Sequence, residues 1–140
     1  MTADLRHSTL ELRHALVALH RDLIETARIR YERAQGRPVD PVTLLRLLTD
    51  DVDFAWLRPL STLIVELDER FADAEQFADA DVVATAHKGI AALFAPGGKF
   101  WLTYATLLQE DAAAAVAHGR VRAALARLPA VRAVRPELRN

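Results

Sequence analysis

Residues 53–71 read DFAWLRPLSTLIVELDERF, and the spacing of their apolar side chains decides the fold class. At about 100° per residue, Trp56, Leu57, Leu60, Leu63, Ile64, Leu67 and Phe71 fall in one broad stripe. Arg58, Ser61, Thr62, Glu66, Asp68 and Glu69 fall outside it, the signature of a helix with one face in a core and one in water. Burying a side chain such as Leu or Phe is worth about 1.5–3 kcal/mol, so this stripe is the largest local contribution in the sequence. Pro59 complicates the reading, because it lies six residues inside a helix begun at Asp53 and has no N–H to donate. The expectation is a bent but continuous helix. The alternative is a short turn over 53–57 with the main helix beginning near Arg58.

Outward from this stretch the pattern stays helical. A first helix is predicted from Asp4 or Ser8, the latter with Glu11 at capping-box spacing, to Gln35. Leu5, Leu12, Leu16, Leu19, Leu23 and Ala27 form one apolar row, and Leu10, Val17, Ile24 and Tyr31 form a second beside it. Gly36 and Pro38 end it. Asp40 and Pro41 then supply an N-cap and a first helical residue for a short helix over 41–49. Residues 72–81 read as an acidic loop, and Asp79 or Asp81 caps a helix running to Phe94. The PGG at 96–98 is a break. A helix from Lys99 carries Phe100, Tyr104, Leu107 and Leu108 on one side with Trp101 at its edge. Glu110–Asp111 is a junction, because an unbroken helix would bring Asp111 into that apolar stripe. A last helix runs to Pro129, and the tail 130–140 has no periodicity and is expected to fray. The whole is predicted to be all-α: a single domain over 1–129, with a four-helix-bundle-like core and one or two additional short helices.

Composition agrees and narrows the function. With 140 residues, 51% hydrophobic and 26% charged, the chain is globular and of one-domain size. It has no cysteine, which excludes disulfides and thiolate chemistry. No apolar run reaches the length of a membrane span, and the opening MTADLRHSTLELRH lacks the apolar centre of a signal peptide. The expected location is therefore cytoplasmic. A net charge of −1 conceals asymmetry, with ten acids from Asp50 to Asp81 against Arg58 and Arg70. Six arginines follow His118 against Glu137 alone. These could contact nucleic acid, but helix-turn-helix spacing and interleaved aromatics are lacking, so nucleic acid is not the expected partner.

Few residues suggest chemistry. His7, Glu11 and His14 share one face of the first helix at i, i+4, i+7, and Glu11-Leu-Arg-His14 matches half of a di-iron carboxylate ligand set. The second Glu-x-x-His is missing and the face points to water, so a metal site here is a weak candidate against a surface cluster. His20 differs, lying within the apolar face between Leu16, Leu23 and Ile24. It is read as a core histidine bonded to a carbonyl, an acid or a hydroxyl such as Ser61, or else as a haem or metal ligand or general base. Trp56, Trp101 and Tyr104, with Phe54 and Phe100, line a ligand cavity on one reading and form ordinary core on the other. His87 and His118 read as surface or boundary residues without a partner at ligand spacing. PGGK at 96–99 is too short for a P-loop. The stretch from Phe54 to Leu60 is distinctive but resembles no family from which a function carries over.

The apolar surface on the first helix and on 41–49 exceeds what a bundle of this size hides. The expected function is accordingly that of a non-enzymatic protein acting by self-association, as a homodimer, or with a protein partner. The alternative is a bundle holding a small ligand, haem or metal through His20, Trp56, Trp101 and Tyr104.

Overall fold

A computed structural model of the chain describes residues 3–72 and 79–129. The centre of the acidic loop, 73–78, and the tail, 130–140, lie outside the described residues. Within them the chain is all-α, with helices α1 (Ala3–Gln35), α2 (Pro41–Asp50), α3 (Arg58–Ala72), α4 (Asp79–Leu93), α5 (Lys99–Glu110) and α6 (Ala112–Ala126), and a 3-10 turn over Val52–Leu57.

The helix ends follow from local chemistry. α1 begins before Ser8, so Ser8 and Glu11 sit inside it and their capping-box spacing marks no terminus. It ends at Gly36, whose φ of 74° is left-handed and whose N–H donates to the Glu32 carbonyl at 2.8 Å. Asp40 accepts from the Thr43 N–H at 2.8 Å, with Pro41 first in α2. Asp111 is extended, with φ −121° and ψ 108°; its N–H closes α5 on Leu107 while its carboxylate caps Ala113 and Ala114 of α6.

The continuous helix over 53–71 is not what forms. Asp51 accepts from the Asp53 N–H and starts a 3-10 turn, and the Arg58 N–H closes that turn on the Ala55 carbonyl. Pro59 could not have donated to Ala55 in an α-helix, and the change of helix type places its ring in the first turn of α3, where no N–H is required. Arg58 keeps helical angles, φ −60° and ψ −39°, so one helix type passes into the other without a loop.

Cross-helix contacts give the directions. Ser61 meets His20 and Asp68 meets Arg13, so α3 runs antiparallel to α1. Asp111, at the start of α6, meets Thr26, and α6 packs along α1 more extensively than any other helix pair does. The link from α3 to α4 is only six residues, 73–78, which makes those two antiparallel neighbours. α1, α3, α4 and α6 thus form the bundle. The 3-10 turn touches α1, α2, α3 and α5 and closes one end, with Phe54 against Tyr31 at a ring separation of 5.7 Å.

The predicted first row of α1 forms the core: Leu12, Leu16, Leu19 and Leu23 have no exposure. From the stripe on 56–71, Leu57, Leu60, Leu63 and Leu67 are buried, while Trp56 and Ile64 are half-buried against them. The second row of α1 divides. Ile24 and Tyr31 pack on the core, whereas Leu10 and Val17 stay half-exposed outside it, on the side of α1 turned away from the Thr26 flank that meets α6. α6 itself buries small positions, Ala114, Ala117, Val121 and Ala124. Small residues also bring α3 and α4 together. A methyl group on Gly89 would fall 2.3 Å from Leu63 Cδ1, whereas one on Gly119 would meet nothing.

The three glycines should therefore respond differently to alanine. Gly119→Ala should add about 0.5–1 kcal/mol through helix propensity. Gly36→Ala should cost about 1–2 kcal/mol for the left-handed backbone. Gly89→Ala should fall short of Gly119→Ala by about 1 kcal/mol or more, as Leu63 is displaced. Urea unfolding of the three variants measures this; equal gains at 89 and 119 would show that α3 and α4 are not in close contact.

Candidate functional site

His20 is half-buried in the seam between α1 and α3, where its Nε2 and Ser61 Oγ share a hydrogen bond of 2.7 Å. The hydroxyl partner named from the sequence is the one the fold supplies. Ser61 Oγ also lies 3.4 Å from the Leu57 carbonyl one turn back. Two turns along the same seam, the Arg13 guanidinium donates through two nitrogens to the Asp68 carboxylate. Burial holds the His20 pKa below the ordinary imidazole value.

The aromatic residues gather elsewhere. Trp56 lies 5.9 Å from Phe100, and Phe100 lies 4.8 Å from Tyr104. Phe94 joins them, stacked on Tyr104 at 5.7 Å and 12° and lying 5.9 Å from Trp101. Trp56, Trp101 and Tyr104 are thus brought into one cluster, and His20 is not part of it. Its histidine is His118, whose ring centre is 4.9 Å from Phe94 and whose Nδ1 shares a 2.8 Å hydrogen bond with the Tyr104 hydroxyl. Tyr104 has no exposure, and burial pushes its pKa up. Burial, and then Arg122, lower that of His118. His118 is a boundary residue, as the sequence suggested, and its partner Tyr104 lies fourteen residues away across the α5–α6 junction, not at ligand spacing. His87 also finds a partner, donating from Nε2 to the Pro129 carbonyl at 2.8 Å.

The other candidate set stays at the surface. His7 Nε2 is 3.9 Å from Glu11 Oε1, at 76% and 44% side-chain exposure, and His14 is exposed. Among the described residues, no three His, Asp or Glu side chains are grouped to hold a metal ion.

The feature that sequence reasoning missed is a cleft of about 1460 Å³ between α3, α4 and the start of α5. Val52, Trp56, Leu63, Phe100 and Leu102 supply apolar wall, and Ala84, Gly89 and Ala92 leave room along α4. Those small residues, at 84, 89 and 92, follow no regular helical spacing, so the sequence carried no signal for the cleft. The chain's two lysines, Lys88 and Lys99, both line this cleft, together with Arg58. Neither lysine has an ion-pair or hydrogen-bond partner among the described residues. Arg58 donates to the Thr49 carbonyl at 2.8 Å. Arg70 and Asp81 line the end where α3 finishes and α4 begins, and Glu66 lines the cleft nearer its middle. A second cleft of about 460 Å³ lies between α1 and the 3-10 turn, lined by Tyr31, Phe54 and Asp53. Trp56 and Val52 line both, and His20 lines neither.

No protein-family model matches the chain, and no curated protein or solved structure matches it. Among the described residues, no helix is long and apolar enough to cross a membrane.

The two depressed histidines give a pH dependence with a definite sign. Above the ordinary imidazole value of 6.5 both rings are neutral, folded or unfolded. As pH falls through that value the unfolded chain takes up protons first, so stability is lost on the acid side. The melting temperature should fall from pH 7 to pH 5, and should fall less in a His20→Leu, His118→Gln double variant. An equal fall in both proteins would assign the acid sensitivity to other groups.

Proposed function

We propose that this protein is not an enzyme and works by association in the cytoplasm, with a second copy of itself as its first partner. The observation that carries the reading is α2, which is apolar on both sides. Leu47 is buried and Leu44 and Leu48 pack on the core, while Val42 and Leu45 on the outer side are 70% and 66% exposed. Apart from Arg46, Thr49 and Asp50 this helix is apolar nearly all round, a pattern ordinarily covered on more than one side, and it is covered on one. Val52, 83% exposed, adds to the same end of the molecule. The alternative, a haem, metal or small ligand held by His20 with Trp56, Trp101 and Tyr104, has less behind it. His20 is engaged with Ser61 in a different seam from the aromatic cluster.

Light scattering across a dilution series tests the proposal. At high micromolar concentration the molar mass should approach twice the 15.5 kDa of the chain and fall on dilution. A Leu45→Glu, Val52→Glu double variant should be monomeric and lose no more than about 0.5 kcal/mol per site, the scale of ordinary surface changes. A wild-type protein that is monomeric at every concentration would overturn the reading.

A further inference from the structure

We infer that α2 of one copy seats its Val42–Leu45 face in the cleft between α3, α4 and α5 of a second copy, and that the exchange is reciprocal. The inference rests on the self-association proposed above and specifies the surfaces that meet.

Charge is the first argument. The segment 40–53 carries Asp40, Asp50, Asp51 and Asp53 against Arg46 alone. The cleft is lined by Lys88, Lys99, Arg58 and Arg70 against Glu66 and Asp81. Among the described residues the two lysines make no ion pair. An acidic helix laid in the cleft meets four cationic side chains against two carboxylates.

Apolar surface is the second. Among the described residues six large hydrophobic side chains are exposed, and four of them, Val42, Leu45, Val52 and Leu102, belong to these two surfaces. A helix with apolar anchors at i and i+3 entering an apolar groove is a recurrent mode of recognition. α2 cannot fill the cleft of its own chain, because its inner side is packed on the core and its end leads directly into the 3-10 turn.

Placement is the third. Val52 lies two residues beyond the end of α2 and is itself part of the cleft wall, so donor and acceptor surfaces adjoin on one side of the molecule. Adjacent complementary surfaces let a two-fold axis satisfy both at once, giving a closed dimer instead of a chain of copies.

Charge exchange between two variants tests this. One carries Lys88→Glu and Lys99→Glu, the other Asp50→Lys and Asp53→Lys; all four positions are exposed. Each variant alone should dimerise at least tenfold more weakly than wild type in sedimentation velocity, and circular dichroism should show both folded. An equimolar mixture should recover wild-type affinity, because each cleft then faces an α2 of opposite charge. Added salt should weaken the wild-type dimer and the mixed dimer alike. Variants that dimerise as wild type does, or a mixture that fails to recover, would overturn this inference and leave self-association through another face. A wild-type monomer at all concentrations would overturn the self-association itself.

Discussion

The structure depends on one row of leucines. Leu12, Leu16, Leu19 and Leu23 are wholly buried along a helix of 33 residues, about 50 Å at 1.5 Å per residue. Among the described residues none of the other helices exceeds 15 residues, so none covers that row alone. α3 and α6 each run back along α1 on different flanks, and what lies beyond them is closed by the 3-10 turn and α2. The bundle therefore has one long strut and several short ones, and the uneven lengths leave its closing end open to clefts.

Four polar contacts along α1 set where α3 and the α5–α6 junction sit. Arg13 holds Asp68, His20 meets Ser61, Thr26 meets Asp111 at 3.1 Å, and Arg30 reaches Glu110 at 3.0 Å. Exposed ion pairs of this kind contribute about 0–1 kcal/mol each, far less than the leucines. Their effect is on alignment. An apolar stripe tolerates sliding by a turn, and matched polar pairs at fixed positions do not.

Much of the fold was legible because its boundaries are local. Asp40–Pro41, Gly36, the PGG at 96–98 and Asp111 each act on backbone groups within four residues of themselves, so sequence spacing reveals them. Pro59 was visible as a conflict, but the outcome turned on whether Asp51 could start a tighter turn, which spacing alone does not decide. The aromatic cluster was read in part. Phe94 lies just past the last residue of α4, beside a loop, and only tertiary packing makes it the ring that joins Phe100, Trp101, Tyr104 and His118. The cleft left no periodic trace, because its walls come from three helices and its space from small residues that read simply as helix formers.

Asp111 has a consequence for motion. Its backbone N–H ends α5, its carbonyl accepts the Ala115 N–H of α6, and its carboxylate serves α6 and Thr26 together. The end of one helix, the start of the next and the tie to α1 cannot be released separately. Where many adjoining helices fray independently, α5 and α6 are joined into one unit of local unfolding. Their junction amides would exchange with solvent at a common rate, set by the opening of the pair and not by the end of either helix.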